Sequence, residues 1–363
     1  MKETALKYGS AICDSMMAMY NPAAKLRHEG KFHYHQGVFL SGMEKFNRYA
    51  KQEKYFNYTK DWVDSIMRGT SSIYDLDNEV MNKNHLDDLQ PGILLFNLYE
   101  KTGDELYKRI LDEIIGAFEV YKCNRFGGFW HMEEYPNQMW LDGLYMAGPL
   151  LTQYAAKFNR TDLFDKVVLQ AKLMFEHCFV EEKGLMKHAW ACEKDTEWAD
   201  KETGCSEVFW GRALGWFVVA LTDILEYLPT EHPDRETLIN MLTILLIGIV
   251  RYQDKDTGLW YQVLDKGDRE DNWHETSCSM MFTMALLRAI KRGFLPSEYM
   301  SCAEKGIEGV FSKFIYDGNN SRVTEICRGT MVGDYEYYVN RERRSNDLHG
   351  SGAFLLLLAS ILE

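Results

Sequence analysis

A chain of 363 residues, 46% of them hydrophobic, can bury a large core, and no Pro-, Gly- or Ser-rich linker or block of like charge divides it, so one domain over residues 1–363 is expected. The formal charge of −13 argues against nucleic acid or an anionic membrane as a partner, and leaves room for a small anionic substrate received by a local Arg or Lys. Met1–Tyr20 carries Asp14 and no sustained apolar run, no later run is long enough to span a bilayer, and eight scattered cysteines include no C-x-x-C. These features are read as the absence of a signal peptide and of a membrane span, and as a cytoplasmic protein; a monomer or homodimer is expected, with no residue pattern choosing between them.

Along the chain a unit recurs in which an aromatic-rich, Gly-containing helix is followed by a turn and a more polar helix. Its first halves begin near Gly37, Gly92, Gly143, Gly211, Ser279 and Gly350. In Ile93–Tyr99 and Trp216–Leu221 the apolar residues run almost all round the helix, which predicts burial on every side. Glu105–Tyr121 and Asp162–His177 alternate charged and apolar positions at i, i+3, i+4 and are expected outside. Thr102-Gly103-Asp104, Asn159-Arg160-Thr161-Asp162 and Glu231-His232-Pro233-Asp234 have the chemistry of helix–helix turns. Six inner and six outer helices in one ring, an (α/α)6 barrel with Gly350–Leu362 closing against the first helix, satisfy these patterns. Gly127–His131, Gly184–His188 and Gly258–Tyr261 read as hairpins or loops at one rim.

The first chemical motif is Asn84-His85-Leu86-Asp87-Asp88-Leu89-Gln90-Pro91-Gly92, paired acids in a loop entering an inner helix. One of them is expected either to cap the helix or to face a pocket. The second and densest is His131–Pro149, in which Pro136 and Asn137 introduce a helix whose first turns hold Asp142 between Trp140 and Tyr145. An acid among aromatics is partly desolvated, which favours the neutral form and proton donation; an acid stabilised by the helix dipole is the alternative. In Glu207–Trp216 the planar fork of Arg212 suits a carboxylate, while Trp210 and Trp216 offer flat faces to a sugar ring, or are core. His188, His274-Glu275-Thr276-Ser277 and Asn346-Asp347-Leu348-His349-Gly350 each join an inner segment, and each His there reads as structural ahead of catalytic. No H-E-x-x-H, zinc-type Cys/His spacing, P-loop, dinucleotide fingerprint or G-x-S-x-G is present, so neither metal nor cofactor is expected.

From Tyr34-His35-Gln36-Gly37 to Gly350–Leu356 the chain resembles the unsaturated glucuronyl and rhamnogalacturonyl hydrolases of glycoside hydrolase families 88 and 105, and family 105 more closely. Tyr135–Gly143, Trp210–Trp216 and Glu275-Thr276-Ser277 carry that resemblance. It implies an (α/α)6 barrel and removal of a 4,5-unsaturated uronate from the non-reducing end of lyase-generated oligosaccharides, with rhamnogalacturonan disaccharide from pectin as first choice. Asp142 matches the general acid/base and Asp87 the second acid. His131, His188, Trp210, Arg212 and Trp216 match sugar-contacting positions, joined by Trp140 beside Asp142. Ala213-Leu214 departs from the more polar pair expected there, which bears on subsite specificity. The implied chemistry is enol-ether hydration: Asp142 protonates C4, and water deprotonated by the same carboxylate adds at C5. The resulting hemiketal expels the aglycone without a covalent enzyme intermediate. With an ionised Asp87 nearby, the pKa of Asp142 is expected above its reference value, and Asp87, Asp142 and Arg212 are expected at one end of the ring. The competing readings are an N-acylglucosamine-epimerase-like isomerase, an inverting glycosidase, and a helical-repeat binding scaffold. The last is disfavoured because the motifs differ between repeats.

Overall fold

The computed structural model describes residues 1–363. Its helices are α1 (Lys2–Met19), α2 (Tyr34–Ala50), α3 (Glu53–Met67), α4 (Leu86–Leu89), α5 (Leu94–Thr102), α6 (Glu105–Ala117), α7 (Leu141–Phe158), α8 (Asp162–Cys178), α9 (Gly211–Tyr227), α10 (Arg235–Val250), α11 (Thr276–Lys291), α12 (Met300–Ser312), α13 (Tyr335–Val339) and α14 (Leu348–Leu362). The strands are two or three residues long and pair only in antiparallel twos, so the chain is all-α. Local chemistry sets the boundaries. Gly103 and Asn159 take positive φ at the ends of α5 and α7, and the Asp104 carboxylate accepts from Leu106 N to start α6.

The helices fall into two compact units. Residues 1–122, 314–323 and 345–363 form one, in which α2 packs on α3, α5 on α6, and α14 on both α1 and α2. Residues 123–313 and 324–344 form the other, in which α7 packs on α8, α9 on α10 and α11 on α12, while α9 lies between α7 and α11. Six pairings of a buried helix with a half-exposed one are the arrangement of the (α/α)6-barrel class.

The apolar patterns explain this sorting. Every residue of α9 from Gly211 to Leu225 is buried, as is every residue of α14 from Leu348 to Ile361. Each large apolar side chain so placed contributes about 1.5–3 kcal/mol. On α6 only the stripe Tyr107, Ile110, Leu111, Ile114, Ile115 and Ala117 is buried, the spacing of an amphipathic helix. Three local expectations change. Asn97 and Tyr99 leave one face of α5 partly exposed, so that helix is not buried all round. A strand, Gln138–Trp140, stands between Asn137 and the start of α7. Neither Asp87 nor Asp88 caps α4, since His85 is its N-cap and both acids lie within its first turn.

Candidate active site

Asp142 is the second residue of α7, where the partial positive charge of the helix end favours an anion. Its setting follows from a short strand pairing. Gln138–Trp140 runs antiparallel to Ala189–Ala191 with Trp140 opposite Ala189, and Leu141 N donates to His188 O at 3.0 Å. That register brings the residue before Ala189 beside the residue after Leu141. His188 Nε2 lies 3.1 Å from Asp142 Oδ2, and His188 Nδ1 lies 2.6 Å from the Tyr338 hydroxyl.

The partners fix the proton positions. Gly333 N donates to the Tyr338 oxygen at 3.1 Å, and burial pushes the phenol pKa up, so Tyr338 keeps its proton and donates to Nδ1. Nε2 then carries the imidazole proton and donates to an ionised Asp142. Burial alone raises the Asp142 pKa, but the hydrogen bond and electrostatic attraction of His188, with His131 and Arg212 behind them, outweigh it and hold the carboxyl below its ordinary value. The direction is opposite to the sequence expectation, which counted the aromatic neighbours of Asp142 and not its imidazole.

Aromatic rings enclose this relay. Trp140 stacks on His131 at 4.3 Å between centroids, sits 5.6 Å from Tyr135, and turns its edge toward His188. Trp210 stacks on Tyr338 at 5.4 Å and flanks His188 at 4.8 Å. Gln262 accepts from Trp210 Nε1 and donates to Tyr338 O, locking the two rings together. Partly buried Tyr135, Trp198, Met331 and Val332 pack against Met132, Trp140 and Ala189 as an apolar wall. Arg212, second residue of α9, lies 4.7 Å over the Trp210 ring and donates to the carbonyls of Cys327 and Arg328. The buried Glu275 carboxylate accepts from Cys327 N at 2.9 Å and from Cys278 N at the head of α11, tying the segment that Arg212 contacts to that helix.

The structure thus brings together Asp142, His131, Trp140, His188, Trp210 and Arg212. Trp216 lies one turn along α9 from Arg212, 1% exposed, and packs at 4.5 Å between centroids against Tyr145, one turn along α7 from Asp142. Asp87 belongs to the other unit, where His33 Nε2 is 4.0 Å from its carboxylate and 3.7 Å from that of Asp88, which also accepts from Asn82 N. Sequence reasoning missed Tyr338, Gln262 and Trp198. The aromatic run Tyr335-Glu336-Tyr337-Tyr338 was the available signal for the first.

A carboxylate, imidazole and phenol in series at the head of a buried helix, walled by aromatic rings within an (α/α)6-barrel chain, fit the glycosidase class. Residues 8–363 match the model of Glycosyl Hydrolase Family 88, and the chain belongs to that family. It is similar to the unsaturated rhamnogalacturonyl hydrolase YesR of Bacillus subtilis, 26% identical over 335 residues, covering 90% of this chain and 88% of that protein. Among solved structures it is similar to a family 105 glycoside hydrolase from C. acetobutylicum, with 30% identity, TM-score 0.85, and 98% and 99% of the two chains covered. The unsaturated glucuronyl hydrolase of Bacillus sp. GL1, at 14% identity and TM-score 0.73 over 99% and 96% of the chains, shares the fold. The protein is therefore a glycosidase, and no helix in it is long and apolar enough to cross a membrane.

Proposed function

We propose that this glycosidase releases a 4,5-unsaturated uronate from the non-reducing end of lyase-generated oligosaccharides, with rhamnogalacturonan disaccharide as the leading substrate. The observation that carries the reading is the Asp142–His188–Tyr338 relay, a carboxyl wired to exchange a proton beneath a wall of aromatic rings. Relatedness to an unsaturated rhamnogalacturonyl hydrolase over most of both chains supports the choice of substrate.

In the proposed sequence Asp142 gives a proton to C4, positive charge develops at C5 and the ring oxygen, and Asp142 as the carboxylate then takes a proton from the water that adds at C5. The hemiketal collapses, the aglycone leaves, and a 5-keto sugar acid remains. Asp142 is ionised in the unliganded protein, so the acid form must arise as substrate binds. The negative charge of the uronate and the expulsion of water both raise the carboxyl's proton affinity at that moment. In this scheme Arg212 faces the uronate carboxylate or an adjacent hydroxyl. Trp140 and His131 flank the sugar, His188 sets the proton inventory, and Asp87 keeps as a proposal the second acidic role that the family resemblance gives it.

A panel of lyase-generated disaccharides, followed by loss of the ultraviolet absorbance of the C4=C5 bond, tests the substrate class. Turnover of the rhamnogalacturonan disaccharide ahead of sulfated or glucuronyl ones is expected. In heavy water the product should carry deuterium at C4, and deuterium appearing only elsewhere would exclude protonation at that carbon.

A further inference from the structure

The unit containing α2 and α14 holds a cluster of metal-ligating side chains that the proposed reaction does not use. His35, Asp347 and His349 are all buried, and one ligand atom from each lies within 4.8 Å of the others. His349 Nδ1 and Asp347 Oδ1 are 3.1 Å apart, close to the roughly 3.3 Å ligand–ligand edge of a tetrahedral zinc site. The three come from the first turn of α2 and the start of α14, which converge because α2 and α14 are packed in close contact, with Gly42 facing Gly352.

The surroundings are arranged as an outer shell. His33 Nε2 faces the carboxylates of Asp88 at 3.7 Å and Asp87 at 4.0 Å, and its Nδ1 lies 3.1 Å from His35 Nδ1. A neutral His35 protonated at Nδ1 has its lone pair on Nε2, the tautomer of a metal-bound histidine whose other nitrogen is held by a second residue. Arg27 Nη1 lies 2.8 Å from Asp347 Oδ1 and keeps that carboxyl ionised and oriented. Asp87, Asp88 and Asp347 together outnumber Arg27 among the charged groups of the cluster, which suits a dication.

We propose that His35, Asp347 and His349 form a site for a first-row divalent metal ion, best matched by zinc, which clamps the start of α14 to α2. Two imidazole nitrogens and one carboxylate oxygen are a borderline-soft donor set of the kind zinc and cobalt take. Sequence spacing concealed this donor set, because its members lie at opposite ends of the chain.

The test uses the full chain after dialysis against a chelator. Calorimetric titration with Zn²⁺ should give one site per chain and a raised Tm, and Co²⁺ should give the visible bands of a four-coordinate nitrogen–oxygen site without thiolate charge transfer. His349→Gln should abolish the stoichiometric site. His33→Ala, at a partly exposed position, should weaken zinc 10- to 100-fold, as loss of a second-shell partner does. No stoichiometric binding by the unaltered protein, a thiolate band in the cobalt spectrum, or unchanged affinity in both variants would overturn the assignment.

Discussion

Asp142 is pulled two ways, and the balance decides when its carboxyl can act as an acid. Burial favours the neutral form, while the His188 hydrogen bond and the electrostatic attraction of His188, His131 and Arg212 favour the anion and win. Since kcat/KM reports the free enzyme, its alkaline limb reads loss of the proton from the Asp142 carboxyl. Replacing His188 by Asn removes the largest lowering influence and leaves burial, so the carboxyl holds its proton to higher pH. The limb should therefore move toward alkali, and a limb that stays or moves toward acid would show that His188 does not govern the carboxyl. Asp142→Asn should cut turnover by about 10²–10⁴-fold or more while leaving circular dichroism and zinc response unchanged, because general acid–base help is of that size and Asp142 is the one carboxyl of the relay. Asp142 was legible in the sequence because a helix start flanked by aromatic residues is a local pattern. Its imidazole partner was not legible as a partner, because His188 reaches it only through the register of two short strands, and Tyr338 arrives from a still more distant segment. The sign error on the Asp142 pKa follows from that blindness to non-local neighbours.

At the scale of the elements, the helices were legible where periodicity and end chemistry agreed. The turns at Gly103, Asn159 and Asp234 lie where the sequence put them, since their cap residues act within a few positions of the helix they end or begin. The short strands were not legible as strands, because two or three residues carry no period to read. Close helix approach is a further property that a sequence hints at only through glycine. A Cβ on Gly42 would come within 2.5 Å of Gly352 O, and one on Gly352 within 2.5 Å of Val38 O, both rigid backbone atoms. Gly352→Ala should therefore push α14 off α2 and lower stability by about 1–3 kcal/mol, the usual cost of overpacking. Denaturant midpoints check this, and a midpoint equal to that of the unaltered protein would mean the crossing yields freely. The contact between α9 and α11 also holds a buried ion pair: Arg288 Nη1 meets Asp223 Oδ1 at 2.6 Å. Arg288→Met strands the Asp223 charge, and a loss of about 3–5 kcal/mol is expected. Adding Asp223→Asn to that variant should recover part of it, because the stranded charge is then gone.

For the whole molecule, the all-α class was readable from six recurrences of a buried helix followed by an amphipathic one, since burying those faces against one another is what such a chain can do. The same charge balance that argued against anionic partners also sets how the protein meets acid. Most exposed carboxyls titrate alike in the folded and unfolded chain and so contribute little to the pH dependence of stability. The ones that matter are those the fold displaces. Against the opposing effect of burial, His349, Arg27 and His35 hold Asp347 far below its ordinary value, and His188, His131 and Arg212 hold Asp142 below its own. A carboxyl with a depressed folded pKa adds stability that is fully present above the unfolded pKa, about 3.9 for Asp, and is lost as pH falls through the folded value. Tm should therefore hold from neutrality to about pH 5 and fall steadily below about pH 4. Asp142→Asn has one displaced carboxyl fewer, so its Tm should drop less between pH 7 and pH 3 than that of the unaltered protein. Scanning calorimetry in matched buffers measures both curves. If the two lose the same number of degrees, Asp142 titrates alike in the folded and unfolded states, and the His188 hydrogen bond does not hold its carboxyl ionised.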